Sequence, residues 1–280
     1  MDSPKVSVIM GIYNCSKTLN EALDSLLLQT YQEFNVIMCD DGSTDNTYQI
    51  AEQYVLKYPE KFILIKNEEN LGLNLTLNKC LSFATGKYIA RMDGDDISLP
   101  TRFQKEVEFL DHNNNFSIVS TAMILFDDSG DWGIVEKIEK PQIKDFYKHN
   151  PLFCHAPCMI RKEAFTKVNG YSTDPRTLRC EDCHLWFKLY SKGYIGYNIQ
   201  EPLYKMRDDH DAYKRRSFKA RMNSVYVQYV GFKMLNAPFY MYIYVVRKFL
   251  KNFILGIIPE ILYNYLHKRK QQKNNKRDKL

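Results

Sequence analysis

The stretch Lys87-Tyr88-Ile89-Ala90-Arg91-Met92-Asp93-Gly94-Asp95-Asp96 joins an apolar run to three carboxylates. The run is typical of a buried β-strand, so the carboxylates come directly after a strand end. Hard divalent cations prefer oxygen ligands, and they take few protein carboxylates when phosphate oxygens complete the site. The stretch therefore predicts a strand that ends at a cation site. The alternative is a solvated acidic turn in which Asp96 caps the next helix.

The chain before and after this stretch alternates apolar strands with amphipathic helices. Strands are predicted over residues 5–10, 34–39, 62–65 and 87–92, and helices over residues 16–28, 44–58, 75–84 and 102–110. This alternation indicates an α/β fold with a parallel sheet and crossover helices. Polar residues follow all four strands, at Asn14, Asp40-Asp41, Asn70 and Asp93. Since parallel sheets bind ligands at the carboxyl ends of their strands, these residues predict one binding edge.

A second pair of carboxylates, Glu181-Asp182, begins a predicted helix over residues 182–192. The helix dipole stabilises carboxylates at this position, which is a sufficient structural reason for both residues. The functional interpretation is a general base, which must be held close to an incoming hydroxyl group. The residues alone leave both interpretations open.

The positive charge of the chain is concentrated at its C-terminal end. The net charge is +6, and the residues from Arg247 onward include ten Lys/Arg and two Asp/Glu. The apolar, Tyr-rich runs at 239–246 and 253–258 are shorter than the roughly 18 uncharged residues of a membrane span. We expect in-plane amphipathic helices on the inner membrane surface, with the basic tail on anionic lipid. The alternative is a helical lid that packs on the preceding domain, followed by a disordered tail.

The cysteine count and the N-terminal sequence predict the cellular compartment of the protein. Seven Cys is an odd number, and no signal peptide precedes the first strand. Both observations favour free thiols in a reducing, cytoplasmic environment, with peripheral attachment to the cytoplasmic membrane face. No nucleic-acid-binding motif accompanies the basic tail, so nucleic acid is not an expected partner.

The motifs, taken in order, resemble family 2 glycosyltransferases. Residues 6–14 are similar to the opening strand and loop of the family, residues 40–45 (DDGSTD) match a family segment without departure, and residues 70–72 match its NxG segment. Residues 88–96 match the family's strand and DxD motif, and residues 181–182 match its ED pair. The resemblance covers about residues 5–210.

This resemblance implies a GT-A fold, which is a Rossmann-like nucleotide-sugar-binding sheet with flanking helices. It implies a GT-A catalytic domain over residues 1–212 and leaves a C-terminal amphipathic helical region with a basic tail over residues 213–280. The implied activity is metal-dependent, inverting transfer of a sugar from a nucleoside-diphosphate donor, with UDP as the nucleotide. The implied acceptor is a hydroxyl group of a lipid-linked or polysaccharide glycan in surface glycan synthesis.

The resemblance also assigns roles to individual residues. Asp41 would hold the nucleobase, Asp93 the ribose or sugar, and Asp95 an Mn²⁺ or Mg²⁺ ion that bridges the phosphates. Asp182 would accept the proton of the acceptor hydroxyl, with Glu181 positioning it. The remaining donor contacts expected are Ile12, Tyr13, Asn14, Asn70, Gly72, Arg91, Gly94 and Arg207.

One departure from the family concerns the end of the catalytic domain. Many relatives carry a His after a Tyr-Arg segment, whereas this chain has Tyr204-Lys205-Met206-Arg207, with His210 three residues later. Arg207 would bind the diphosphate as an ion pair, or His210 would act as a metal ligand. The sequence does not choose between them.

Two other classes of protein compete with this interpretation. A sugar nucleotidyltransferase needs a Gly-rich phosphate loop with Arg or Lys near the N-terminus, and Gly11-Ile12-Tyr13-Asn14 is not such a loop. The absence of GxGxxG and GxxxxGK[ST] argues against NAD and ATP folds. A non-catalytic nucleotide-sugar-binding relative would tolerate loss of the acidic residues, yet Asp93, Asp95 and Asp182 are all present.

Overall fold

The chain forms a mixed β-sheet with helices on both faces, as seen in a computed structural model that describes residues 4–208 and 217–257. The strands are β1 Val6–Ile12, β2 Phe34–Asp40, β3 Phe62–Lys66, β4 Tyr88–Arg91, β5 Ile97–Ser98, β6 Phe116–Asp127, β7 Gly130–Val135, β8 Met159–Arg161 and β9 Ile195–Arg207. The helices are α1 Leu19–Leu27, α2 Thr47–Lys57, α3 Leu73–Phe83, α4 Arg102–His112, α5 Lys162–Lys167, α6 Glu181–Ser191, α7 Phe218–Met234 and α8 Ile243–Ile257.

The strand order in the sheet is β3-β2-β1-β4-β8-β6-β9-β5, and β7 pairs with β6. The first four strands along the chain are parallel to one another, as the alternation of strands and helices predicted. β8 then joins the sheet antiparallel to β4. The chain moves outward from β1 to β3 and returns to place β4 on the other side of β1. Such a reversal opens a crevice at the carboxyl ends of β1 and β4.

Alternate residues of the parallel strands point to opposite faces of the sheet. Ile9 of β1 packs in one core with α3, α5, α6 and α7, whereas Val8 packs in a second core with α1, α2 and α4. Burial on both faces explains why these strands are continuous apolar runs in the sequence. All seven cysteines are free thiols.

A buried ion pair between Arg102 and Glu106 lies next to the end of β4. Arg102 Nε lies 3.2 Å from Glu106 Oε2, and both side chains are fully buried. Arg102 Nη2 also donates to the carbonyl oxygens of Arg91, at 3.0 Å, and Cys158, at 3.4 Å. Burial raises the pKa of Glu106 to about 7, while the Arg102 charge opposes that shift. The guanidinium thus fixes the strand end that precedes the acidic residues.

The two C-terminal helices pack on the sheet domain with one side and expose the other. Val227 and Phe232 of α7 and Val245 of α8 are buried in the same core as α6. The opposite side of the 3₁₀ turn before α8, and of α8 itself, exposes apolar side chains such as Phe239 (92%) and Ile254 (56%). In residues 4–208 and 217–257, no helix has the length and apolar content needed to cross a bilayer. The predicted basic tail from residue 258 onward lies outside the described residues.

Candidate active site

The carboxylates of Asp93, Asp95 and Asp96, referred to here as the acidic cluster, lie together at the end of β4. One carboxylate oxygen from each residue lies within 4.8 Å of the other two. Asp93 and Asp95 are half-buried, while Asp96 is 2% exposed. The guanidinium of Arg91 forms an ion pair with Asp93 and offsets one of the three negative charges. The strand end predicted to carry a cation site therefore does gather its carboxylates.

Asp96 does not cap the helix that follows, contrary to the alternative considered from the sequence. Thr101 occupies the N-cap position of α4, so Asp96 is not at the start of that helix. Its Oδ2 accepts a hydrogen bond from the Tyr204 hydroxyl at 2.8 Å, and its Oδ1 accepts one from the Arg207 backbone N–H at 2.8 Å. Burial, followed by the charges of Asp93 and Asp95, raises the pKa of Asp96 well above its usual range.

The acidic cluster fits a hard divalent cation. All its ligand atoms are carboxylate oxygens, the donor type that Mg²⁺ and Mn²⁺ prefer. Three carboxylates this close repel one another, and repulsion of this kind is relieved by a bound cation or by protonation. Asp93 and Asp95 also line an open cavity, so a cation held there would be accessible to a phosphate-bearing ligand.

Gly94 allows the acidic cluster to approach the loop after β1 closely. A Cβ atom at Gly94 would lie 2.8 Å from the Cys15 Sγ and 3.3 Å from the Ile12 Cγ2. The Gly94 carbonyl also accepts a hydrogen bond from the Thr18 hydroxyl at 3.0 Å. The glycine is thus needed for close packing between two strand ends.

Asp41, at the end of β2, organises the loop after β3. Its Oδ1 accepts hydrogen bonds from the Leu71 backbone N–H at 2.9 Å and the Asn67 side-chain amide at 2.8 Å, and its Oδ2 accepts one from the Gly72 N–H at 2.9 Å. Gly72 has φ +87°, a left-handed conformation that glycine adopts without strain. The carboxylate is 4% exposed and lines a cavity together with Asn70.

The loop after β1 connects the first two strand ends. The Ile12 side chain is buried in the core, and its carbonyl accepts the Asp41 N–H at 2.9 Å. Asn14 has φ +47°, and its Oδ1 accepts the Thr44 N–H at 2.9 Å. Tyr13 is 47% exposed and lines the same cavity as Asp41. Of these three predicted donor contacts, Tyr13 therefore presents its side chain to open space, while Ile12 and Asn14 hold the loop.

Two cavities meet at the carboxyl edge of the sheet. The Asp41 cavity has a volume of about 620 Å³, and Tyr13, Asn70, Gly72 and Glu181 contribute to its lining. The Asp182 cavity has a volume of about 640 Å³ and is lined by the acidic cluster, Asp182 and Arg207, among others. Arg179 and Ala220 line both cavities. The structure thus brings together most of the site residues that the sequence predicted.

The Glu181-Asp182 pair lies at the start of α6, between the two cavities. Glu181 lines the Asp41 cavity, whereas Asp182 lines the other cavity, which also contains the acidic cluster. Burial, and then the charge of Asp182, raises the pKa of Glu181 to about 7. Burial also raises the pKa of Asp182, although hydrogen bonding from Cys183 and the charge of Arg91 oppose that shift. A carboxylate with a raised pKa in a cavity is well suited to accept a proton.

Arg207 is the last residue of β9 and is held by protein carboxylates. Its Nη1 lies 2.9 Å from Asp128 Oδ1, and its Nη2 lies 3.0 Å from Glu21 Oε2. Its Nε donates to the Asp95 carbonyl at 3.3 Å. The guanidinium therefore adjoins the acidic cluster while already carrying two ion pairs. His210, the other candidate for this position, lies outside the described residues.

Several residues of the site were not recognised from the sequence. Asn67 bonds the Asp41 carboxylate and immediately follows β3, so the rule of polar strand ends could have found it. The Tyr204 hydroxyl bonds Asp96 from β9, and no local pattern relates the two residues. Arg179 lines both cavities with φ +65°, an uncommon conformation for a residue with a side chain.

Comparison with known proteins identifies relatives of the whole chain. The family model for glycosyl transferase family 2 matches residues 7–168. The Bacillus subtilis (strain 168) protein EpsE, itself assigned as a glycosyltransferase only provisionally, is 43% identical over 95% of this chain and 94% of its own length. An Escherichia coli protein, UDP-Gal:alpha-D-GlcNAc-diphosphoundecaprenol beta-1,3-galactosyltransferase, is 28% identical over 96% of this chain and 97% of its own.

Solved structures share the fold at low sequence identity. S. aureus TarS 1–349 in complex with UDP-GlcNAc has a TM-score of 0.66 and 19% identity, over 82% of this chain and 70% of that one. The mannosyltransferase PcManGT from Pyrobaculum calidifontis, in complex with GDP-Man and Mn²⁺, has a TM-score of 0.61 and 19% identity, over 95% and 80% of the two chains. These neighbours agree with the predicted GT-A arrangement of sheet and helices.

Proposed function

Because this chain belongs to glycosyl transferase family 2, we propose that it transfers a sugar from a nucleoside-diphosphate donor to a hydroxyl group of a lipid-linked or polysaccharide acceptor. One observation carries the proposal: the acidic cluster and Asp182 line a single cavity, and Asp41 lines the cavity beside it. Three neighbouring carboxylates, the half-buried Asp182 carboxylate and a second cavity of about 620 Å³ therefore lie side by side, which supports the proposal. The product would be used in surface glycan synthesis.

The donor is proposed to be a UDP-sugar held across the Asp41 cavity and the acidic cluster. Asp41, through the loop of residues 67–72 that it organises, would hold the uracil. Two observations on other proteins support UDP: TarS was solved with UDP-GlcNAc, and the E. coli relative is named for UDP-Gal. Asp93 would contact the ribose or the sugar, and Asp95 would hold Mn²⁺ or Mg²⁺, which would supply positive charge against the charge that develops on the diphosphate leaving group.

The transfer is proposed to invert the anomeric carbon in a single displacement. Asp182 Oδ would accept the proton of the acceptor hydroxyl while the oxygen of that hydroxyl bonds to the sugar and the diphosphate leaves from the opposite side. Partial burial raises the pKa of Asp182, so the carboxylate is a stronger base than an exposed aspartate. Glu181 would position the helix start without contacting the acceptor, since it faces the other cavity.

Stabilisation by ligands tests the donor assignment. We expect a UDP-sugar with Mn²⁺ to raise the melting temperature by several degrees, and GDP- and dTDP-sugars to raise it less, because ligand binding stabilises the folded state in proportion to affinity. The measurement is a thermal shift assay over a panel of the three nucleotide classes, each with and without EDTA. A panel in which no nucleotide sugar stabilises the protein would contradict the proposed function.

Residues 213–280 are proposed to be a C-terminal region that attaches the enzyme to the cytoplasmic membrane face. Support comes from the outer side of the last described segment, where apolar side chains are exposed in residues 239–254. Arg247 and Lys251 lie exposed among them. Apolar side chains flanked by cations are typical of a helix that lies in the interface of an anionic membrane.

Vesicle flotation tests this attachment. The triple variant Phe239→Ser, Leu250→Ser, Ile254→Ser removes three exposed apolar side chains and is expected to reduce recovery with phosphatidylglycerol-containing vesicles about 10-fold or more, because interfacial binding scales with the apolar area inserted. Leu56→Ser is the matched control, since Leu56 of α2 is 77% exposed on another part of the surface. Equal flotation of the triple variant and the wild type would show that this surface does not bind membrane.

A further inference from the structure

The wall of the Asp182 cavity opposite the sheet is built from α7 and α8, and it is polar. Arg221, Ser224 and Gln228 contribute from α7, and Lys248 and Asn252 contribute from α8. Their spacing places each set on one side of its helix. The Asn252 amide donates to the Arg221 carbonyl at 3.0 Å and to the Ser224 hydroxyl at 3.0 Å, so the two helices are fixed to each other. Helix α8 thus has an apolar outer side and a polar side that faces the cavity.

Lys248 is a cation of this wall that forms no ion pair within the described residues. Its side chain is half-buried, and within residues 4–208 and 217–257 no carboxylate lies at ion-pair distance from its ammonium group. Burial lowers the pKa of Lys248, while the nearby Cys183, Cys180 and Asp182 act in the other direction. A half-buried ammonium group loses part of its hydration, and an anionic ligand in the cavity would compensate that loss.

On the basis of the proposed function, we propose that the α7–α8 wall, with Lys248 as its cation, binds the phosphate groups of an acceptor that carries an alkyl phosphate or diphosphate. Lys248 lines the same cavity as Asp182 and the cysteines at the start of α6. In a single displacement the base is on the acceptor side of the anomeric carbon, away from the leaving group. Lys248 is therefore placed for the acceptor, whereas Arg91 lies on the donor side, at Asp93.

The outer side of α8 supports an acceptor with an apolar tail. Apolar side chains such as Phe249 and Phe253 are exposed on the same helix that carries Lys248 into the cavity. An amphipathic acceptor would place its phosphate groups on the polar side and its alkyl chain along the apolar surface. A free polysaccharide would use neither group, which is why the wall favours the lipid-linked alternative.

Direct binding of a short alkyl diphosphate tests the proposal. Octyl diphosphate, titrated by calorimetry into the full chain in EDTA, is expected to bind the wild type and to bind Lys248→Met about 10- to 100-fold more weakly, because one charge-assisted contact is lost. Lys248→Arg should retain most of the affinity, and Lys192→Met, at an exposed position on the end of α6, should match the wild type. Inorganic pyrophosphate in a parallel titration separates the contribution of the phosphate groups from that of the alkyl chain.

A second titration separates this proposal from the proposed function. UDP with Mn²⁺ is expected to bind wild type and Lys248→Met equally, since Lys248 is assigned to the acceptor. Failure of the wild type to bind octyl diphosphate, or equal octyl diphosphate binding by wild type and a folded Lys248→Met, would overturn the acceptor site. A selective loss of UDP binding in Lys248→Met would move Lys248 to the donor and overturn it as well. Failure of the wild type to bind UDP would instead refute the proposed UDP donor, and failure to bind any of UDP, GDP and dTDP would refute the proposed function; either outcome leaves the octyl diphosphate result standing.

Discussion

Replacing Asp182 by asparagine is expected to lower kcat for sugar transfer by about 10²- to 10⁴-fold, the usual contribution of a general base. The amide has nearly the same shape as the carboxylate but cannot accept the proton of the acceptor hydroxyl. Donor binding should change little, because Asp182 is assigned to the acceptor hydroxyl and does not line the Asp41 cavity, to which the nucleotide is assigned. Initial rates and donor affinity, measured on the same preparations, distinguish loss of the base from loss of the site.

The pH dependence of the rate adds a second readout for Asp182. A base works only when it is deprotonated, and burial raises the pKa of Asp182. The wild-type rate should therefore rise with pH through that raised pKa and then become constant, at a higher pH than an exposed aspartate would give. Asp182→Asn should lose this rise along with its activity. Glu52→Gln, at an exposed carboxylate on α2, serves as the control, and a variant of Asp182 with wild-type kcat would exclude the residue as the base.

Replacing Asp95 by alanine is expected to reduce transfer by about 10²- to 10⁴-fold, the range that corresponds to the several kcal/mol of charge stabilisation supplied by a bound cation. Asp95 is half-buried and is the residue assigned to the cation. Asp93 is also half-buried but forms an ion pair with Arg91. Both carboxylate oxygens of Asp96 accept hydrogen bonds from the protein. Loss of Asp95 therefore removes one of the carboxylates that line the cavity.

Cation binding and activity should change together. Electron paramagnetic resonance of added Mn²⁺ is expected to show a bound fraction in the wild type and a much smaller one in Asp95→Ala. The exposed Glu68→Gln is the matched carboxylate control and should bind Mn²⁺ as the wild type does. EDTA should remove wild-type activity, and Mn²⁺ should restore it. Full activity in EDTA would rule out a required cation.

Much of the fold could be predicted from local patterns. The four parallel strands are continuous apolar runs because both faces of each are buried, and the helices between them carry one apolar side because only one side meets the sheet. β9 and α7 were missed for a physical reason. β9 has irregular burial along its length, and α7 distributes its apolar residues around the helix, so neither shows a clear period.

Local patterns likewise identify some residues of the candidate site and not others. Asp41, Asp93 and Asp95 could be identified because each follows an apolar strand, and strand ends of a parallel sheet meet at one edge. The roles of Asp96 and Lys248 could not be identified. Asp96 is bonded by Tyr204, 108 positions later in the chain, and Lys248 enters the cavity from a helix expected to lie on a membrane.

The sequence by itself determined the α/β class, the binding edge and the acidic cluster at the end of β4, because strand periodicity and strand ends are local properties of the chain. The tertiary structure alone decided which carboxylate of the cluster is bonded inside the protein and which ones line the cavity. It also decided that all three carboxylates of the cluster share one cavity with Asp182, nearly ninety residues away in the chain. Such contacts depend on how β9, α6 and α8 pack against the sheet, and no short stretch of sequence encodes that packing.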